Sequence, residues 1–443
     1  MLIHETIKQQ AQQDPTKTVL INGEEKISYQ ELNQQITTIA SKLATLTNLQ
    51  DKIIIKLANP IEELVYFLGA SKAGLASVLV ATDLPEKNYQ NIIQRINPKL
   101  IINQDFTLPQ QMSNKLPTVE DKHLFLGALS SGSTGQPKII WRNHRSWVSA
   151  FAHQSRLFNL DSSARLLLVG PLVYTGNLNS AIHLIYEGGT IVFAESNFPN
   201  SWLKDIVEYN ISALFMVPAH YRILIKRLKE PLQRIKSLVG TGAKLDTATV
   251  KKLQNYFPKA QICQYYGASE LGHVSYALAK DMIEKPDTVG RIFPEVTAWT
   301  EDNLVWVKSP YLATDYQPQA TANDLGKINE DNYLYLFGRA DDIINQGGVK
   351  INLNQIKETL TNYSKIDQAA VISLDNQLKG KEVAVAIVTD DTTLTKQEVR
   401  DFCQTNLAKD KQPQKILFLE KMPRTKVGKI DRNKLSKLFR KLP

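Results

Sequence analysis

At 443 residues the chain is too long for one compact core, so at least two domains are expected. A hydrophobic share of 43% with 22% charged residues excludes a disordered or fibrous chain. Two distant cysteines, Cys263 and Cys403, exclude a disulfide framework or a paired-cysteine metal site. The net charge of +9 is concentrated at 411–443, where eleven basic residues meet only Glu420 and Asp431. Such an excess suits nucleic acid, an anionic membrane surface or a phosphorylated small molecule, and equally a solvated helix face. No apolar run approaches the roughly 18 residues that span a bilayer. The opening MLIHETIKQQAQQ has no apolar core of a secretory signal, so a soluble cytoplasmic protein is expected.

In chain order, a helix is expected at 5–13, then a hairpin at 18–27 turning at Asn22-Gly23. Ser28 with Glu31 three residues on reads as a capping box opening a helix at 29–46. From 52 to 103 strands (53–57, 77–80, 100–102) alternate with helices (61–70, 89–96), the rhythm of a parallel α/β sheet. The rhythm returns after Arg165, with strands at 166–169, 190–193, 213–217, 237–241 and 261–264. From about Pro294 the texture changes to short strands such as 304–307 and 333–337, and a smaller α/β unit follows at 350–443. A boundary is expected near Asp341, in a linker that is not Gly/Ser-rich and so reads as a defined pivot.

The strongest local signal is Leu129-Ser130-Ser131-Gly132-Ser133-Thr134-Gly135-Gln136-Pro137-Lys138. Glycines let backbone N–H groups approach an anion, hydroxyls donate further bonds, and Lys138 supplies a point charge. The spacing is not that of the P-loop, and Pro137 precedes the lysine. A second segment is Tyr265-Tyr266-Gly267-Ala268-Ser269-Glu270-Leu271-Gly272. Aromatics there can stack on a base, and a carboxylate beside a hydroxyl can hold Mg²⁺. A hydrolase nucleophile at Ser269 is discounted, because Leu271 stands where the elbow needs glycine. A dinucleotide fingerprint at Gly240-Thr241-Gly242 fails because Leu245 takes the third glycine position. Two further segments are polar turns when read alone: Asp324-Leu325-Gly326 with 337–342 and 346–350, and the stretch 423–431 around Gly428-Lys429.

In this order, over nearly the whole chain, these segments resemble the acyl-adenylate-forming (AMP-binding) superfamily, nearest to bacterial acyl-CoA synthetases of the fatty-acid–CoA ligase type. The stretch Ile27-Ser28-Tyr29-Gln30-Glu31-Leu32 agrees. The resemblance implies an α/β fold: a large multi-layer N-terminal domain of α/β subdomains at 1–338, joined by a hinge to a small mobile α+β domain at 342–443 that carries the catalytic lysine. It implies that Ser130, Ser131, Ser133, Thr134, Gly135 and Lys138 cradle the ATP phosphates and then pyrophosphate. Gly242 and Ala243 would line the adenine site, with Tyr266 and Gly267 beside the purine. Ser269 and Glu270 would hold phosphate and Mg²⁺, with Glu270 as the metal ligand. Asp324 and Arg339 would serve the ribose and Asp341 the hinge. Lys429 would reach the α-phosphate and the attacking carboxylate, while Gly347, Gly348 and Lys350 would line the thiol channel. Lys429, Glu270 and Lys138 are thus the catalytic candidates.

The implied reaction joins a carboxylic acid, by default a fatty acid, to AMP and passes the acyl group to CoA. The implied cofactors are ATP, Mg²⁺ and CoA. A phosphopantetheine carrier protein is the alternative acceptor, and an o-succinylbenzoate or other aryl acid the alternative substrate. A non-catalytic adenylate-binding scaffold would be expected to lack Lys429, Glu270 or Lys138, and all three are present. No nucleic-acid partner is expected, and at most peripheral membrane contact. Three places depart from the family's pattern. Tyr174 stands in place of histidine, which bears on the acyl pocket. Asn323-Asp324 replaces Gly-Asp, which bears on that turn. Gln355-Ile356-Lys357 replaces Glu-Ile-Glu, which bears on small-domain packing. Tyr174, Thr175, Gly176 and Asn177 include no aspartate for a substrate ammonium, which favours a plain carboxylic acid over an amino acid.

Overall fold

The computed structural model describes residues 1–130, 138–196, 198–346, 349–376, 380–424 and 430–440. They divide into two compact units. The first comprises Met1–Trp299, Trp306–Ala322 and Ile328–Tyr335, and the second Thr300–Val305, Asn323–Lys327 and Leu336–Pro443.

The alternating pattern near the N-terminus becomes a five-stranded sheet in the first unit. Its order is Leu100–Ile102, Lys52–Ile55, Ala76–Leu79, Leu124–Ser130, Lys138–Asn143. The first three pairings are parallel, and the last is antiparallel. That last strand was not foreseen, because the sequence pattern stops being apolar at the Ser/Gly-rich loop. Helix Tyr29–Leu43 starts at the expected capping box: the Glu31 N–H donates to Ser28 Oγ at 3.2 Å and Ser28 N–H to Glu31 Oε2 at 2.7 Å. Such a cap is worth about 1 kcal/mol. The helix ends at Leu43, short of the expected 46.

The larger sheet of this unit includes, in order, Thr288–Ile292, Gly272–Leu278, Gln261–Ala268, Ser237–Gly240, Ala213–Met216, Arg165–Leu168, Thr190–Phe193, Thr18–Asn22 and Glu25–Ser28. Four strands, Ala213–Met216, Ser237–Gly240, Thr190–Phe193 and Ala76–Leu79, are buried along their whole length. Such burial is why Ala213–Met216 reads as a continuous apolar run rather than an alternating one. The parallel run ends at Gln261–Ala268, which turns back antiparallel into Gly272–Leu278. The expected strand at 261–264 is therefore twice as long, and its second half carries the aromatic-glycine segment.

The second unit holds a three-stranded sheet, Gln368–Asn376, Gly380–Val388 and Lys415–Phe418, antiparallel then parallel. Alternation in Gly380–Val388 sends Val383, Val385 and Ile387 to a core with Ile356, Leu360 and Val399. Ala384 and Ala386 face Leu435 and Phe439 of helix Arg432–Arg440. A hairpin, Ile343–Gln346 with Val349–Asn352, precedes helix Leu353–Thr361. Both cysteines are buried and free. No helix among the described residues is long and apolar enough to cross a membrane.

Candidate active site

The two ends of the Ser/Gly/Lys segment are paired in the sheet. Ser130 ends one strand, Lys138 begins the next, and the two are register partners. Ser130 is half-buried and Lys138 exposed. Ser131, Ser133, Thr134 and Gly135 lie outside the described residues.

Four residues beyond Lys138, on the inward face of the same strand, stands Arg142. It is 1% exposed. Its Nη1 donates to the Ser269 carbonyl at 3.1 Å, and its Nη2 to the Ser146 and Tyr311 carbonyls at 3.1 and 2.7 Å. Burial brings the guanidinium down to about 9, and the nearby Glu270 charge acts against that fall. A cation fully buried in this way is stable only where its donors find partners. Here Nη1 and Nη2 find three backbone carbonyls, one of them in the Ser269–Glu270 turn, while Nε has no partner among the described residues. Sequence reasoning missed Arg142, although an arginine directly after the apolar run Ile139-Ile140-Trp141 was a usable signal.

The turn itself is tightly built. Pairing slips by one residue between Tyr266 and Gly267. A Cβ on Gly267 would overlap the Gly272 carbonyl, so no side chain fits there. The Ala313 N–H donates to the Glu270 carbonyl at 2.9 Å. Ser269 Oγ lies 3.2 Å from Thr175 Oγ1, the first residue of helix Thr175–Glu187. This places the first turn of that helix, and Gly176, beside the proposed phosphate ligands. Tyr266 is half-buried on the same strand. Burial raises the Tyr316 phenol, and the charges of Glu270 and Asp315 add to the effect.

Gly242 adopts φ +83°, and Ala243 beside it is exposed. The adenine loop predicted from these residues is pinned by Gln264, which sequence reasoning also missed. Its Nε2 donates to the Ala243 carbonyl and its Oε1 accepts from Leu245 N–H at 2.8 Å. Beneath it, Tyr265 packs 4.6 Å from His273 and 5.6 Å from Phe158, ring to ring. Burial pushes Tyr265 up to about 12 and His273 down to about 3. Tyr174, the expected acyl-pocket residue, immediately precedes helix Thr175–Glu187, makes no side-chain cap bond and is 37% exposed.

In the second unit, Asp324 and Arg339 are brought together, with Oδ1 4.0 Å from Nη1. Asn323 takes φ +61°, a left-handed conformation that asparagine tolerates far better than most side chains. The replacement of glycine therefore leaves a residue suited to the same backbone region. Gln355 Oε1 accepts from Lys411 Nζ at 3.0 Å, a contact its uncharged side chain makes on the surface. Asp341 lies in the short turn Ala340–Asp342, and Lys350 on the strand Val349–Asn352. Gly347, Gly348 and Lys429 lie outside the described residues. Lys429 is flanked by a bridge between Arg424 and Ile430. No group of three or more His, Cys, Asp or Glu side chains converges among the described residues.

Comparison with known proteins adds three findings. A sequence profile of the AMP-binding enzyme family matches residues 7–128 and 115–304, and one of the AMP-binding enzyme C-terminal domain matches 355–429. The uncharacterized acyl–CoA ligase YhfT of Bacillus subtilis is 26% identical over 474 residues, spanning 99% of this chain and 98% of that one. The putative long chain fatty acid-CoA ligase VraA of Staphylococcus aureus is 26% identical over 460 residues, with the same coverage. Among solved structures, ATP-bound MatB from Rhodopseudomonas palustris superposes with a TM-score of 0.87 at 20% identity, over 100% of this chain and 99% of that one. The o-succinylbenzoate CoA synthetase MenE of Bacillus subtilis, with its acyl-adenylate intermediate, gives 0.84 at 19%, covering 97% of each. The α/β fold with a large N-terminal and a small C-terminal domain is thus the fold of these proteins.

Proposed function

We propose a function on one premise: the chain belongs to the AMP-binding enzyme family, whose two profiles match most of its length. It is an ATP-dependent acid–thiol ligase. A carboxylate oxygen attacks the α-phosphorus of ATP and pyrophosphate leaves. A thiol then attacks the acyl carbon and AMP leaves. The acid is a fatty acid by default and the thiol that of CoA, a reading supported by the names of the relatives YhfT and VraA.

The observation that carries the reading is the turn at Ser269–Glu270, fixed by Arg142 and Ala313 and set against the Thr175 hydroxyl. A preorganised turn of this kind offers its polar groups without rearrangement as charge builds on phosphate. In this reading Ser130, Ser131, Ser133, Thr134, Gly135 and Lys138 bind the β- and γ-phosphates, and Gly242, Ala243, Tyr266 and Gly267 the adenine. Asp324 and Arg339 bind the ribose. Lys429 neutralises the carboxylate and α-phosphate as they meet. Glu270 is the protein ligand for Mg²⁺, which fits an ion usually held by one or two carboxylates and the substrate's own phosphates. Mg²⁺ supplies charge neutralisation on the triphosphate. The chain divides at 338–342, Asp341 serves as the hinge, and the loop with Gly348 and Lys350 serves the thiol half-reaction.

A second reading, a compact aryl acid, is favoured by one feature. A Cβ on Gly176 would stand 3.4 Å from the Tyr265 hydroxyl and 3.5 Å from Phe215 Cζ, so the first turn of that helix is packed against two aromatic side chains. One experiment separates and tests both: pyrophosphate exchange with MgATP across fatty, aryl and short-chain acids, with thioester formation followed after CoA is added. Exchange before any thiol is the expected result. Silence across the whole panel would sink the adenylation reading.

A further inference from the structure

Lys429 carries the proposed chemistry, yet its position depends on the chain that holds it. Described residues of the second unit hold the two ends of the segment that carries it. Arg424 and Ile430 form a β-bridge, and the Asp431 N–H donates to the Pro423 carbonyl at 2.9 Å. Asp431 then accepts from Lys434 N–H at 2.9 Å, at the start of helix Arg432–Arg440. The next residue, Arg432, reaches 90 positions back along the chain. Its Nη1 donates to Asp342 Oδ1 at 2.6 Å.

Asp342 is itself held by polar neighbours. Its side chain is only 9% exposed, and its Oδ2 lies 3.4 Å from Asn354 Nδ2. Asn352 caps the helix carrying Asn354 and donates to the Phe337 carbonyl at 2.8 Å. Asp342 immediately follows Asp341 in the turn Ala340–Asp342. A nearly buried carboxylate paired with one guanidinium adds little net stability, because its desolvation offsets much of the attraction. What such a pair fixes is geometry.

We infer that Asp342 and Arg432 are a positioning pair: their ion pair ties the stem carrying Lys429 to the turn beside the hinge and so places the lysine for acyl-adenylate formation. The inference rests on the adenylation reading above. Neither residue touches substrate in this account. Both act through Lys429.

The test uses the full chain. Arg432→Gln is expected to slow acid-dependent pyrophosphate exchange by about 10- to 100-fold, the range produced when remote changes misplace a reacting group. The KM for ATP stays within about twofold, and Arg432→Lys, which can remake the single Nη1–Oδ1 contact, recovers part of the rate. Asp342→Asn gives a loss like that of Arg432→Gln, and the double variant is no worse than either single one. The decisive arm is the Lys429→Ala background, followed by radiolabelled exchange. There Arg432→Gln should add no further loss. If Arg432→Gln keeps the wild-type rate, or raises the ATP KM in step with the lost rate, the inference fails. It fails equally if the variant slows the Lys429→Ala enzyme by the same factor. Should Arg432→Gln not fold, Arg432→Lys and Asp342→Asn carry the same comparison. Wild-type silence over the acid panel would instead remove the adenylation reading itself.

Discussion

Two arginines, one in each unit, show two ways of holding a segment proposed to be catalytic. Arg142 is fully buried and donates to three backbone carbonyls, so it clamps the Ser269–Glu270 turn to the sheet and to Tyr311. Arg432 is half-exposed and donates to one carboxylate. The first arrangement cannot be undone without leaving carbonyls unpaired in the core. The second ties one described side chain to one carboxylate, with a β-bridge between Arg424 and Ile430 and short local bonds beside it. The difference matches the tasks proposed for them: a nucleotide site that serves both half-reactions unchanged, and a lysine needed in only one.

The sharpest way to break this comparison is to remove the lysine. Lys429→Ala should cut adenylation by several orders of magnitude while ATP binding survives, because its charge matters most as carboxylate and α-phosphate meet. Equal losses in ATP affinity and in exchange rate would show ordinary ground-state binding instead. Next comes the hinge. Proline fixes φ near roughly −65° and removes an N–H, so Asp341→Pro should lock one backbone state. Exchange should persist, and thioester formation should fall at least about tenfold. Both rates falling together with an unchanged circular dichroism spectrum would show that Asp341 is not the hinge.

Smaller effects probe stability. Arg142→Met strips three carbonyls of their donor and should destabilise the first unit by on the order of 3 kcal/mol. All five tryptophans belong to that unit, so their fluorescence reports its unfolding. Arg432→Gln should leave the same midpoint unmoved, and a shift of equal size in both variants would erase the contrast drawn above.

The smallest expected effect is pH-dependent. Burial, the leading cause in each case, holds His4, His144, His183 and His273 down to about 3. Between their ordinary value near 6.5 and that figure, the unfolded chain takes up protons that the folded unit refuses. Stability is therefore lost as the pH falls below 6.5, by up to about 1.4 kcal/mol per pH unit for each histidine. Burial pushes Glu63 up to about 8 and Asp205 up to about 6, and both oppose the trend, because the folded state keeps their protons. Four histidines against two carboxyl groups leave a net loss in acid. The second unit contains no histidine. The tryptophan-detected Tm should thus drop by several degrees from pH 7 to 5.5. A flat profile would show that these side chains titrate nearly normally.

By itself the sequence determined many of the elements and the order of the motifs. Fully buried strands such as Ala213–Met216 announce themselves as unbroken apolar runs, and Ser28 with Glu31 marks a helix start, because both signals are local. The candidate segment ending at Lys138 and the candidate turn at Ser269–Glu270 could be picked out for the same reason: their polar groups lie in neighbouring residues. Only the tertiary structure decided what holds them. Arg142 is separated from Ser269 by 127 positions, and Gln264 from Leu245 by 19. Thr175 is 94 positions from Ser269, and Arg432 is 90 from Asp342. Each is an ordinary polar residue until the fold supplies its partner. Periodicity and spacing carry information over a turn or two of chain, whereas a buried donor is committed only when a distant backbone carbonyl or carboxylate is packed against it.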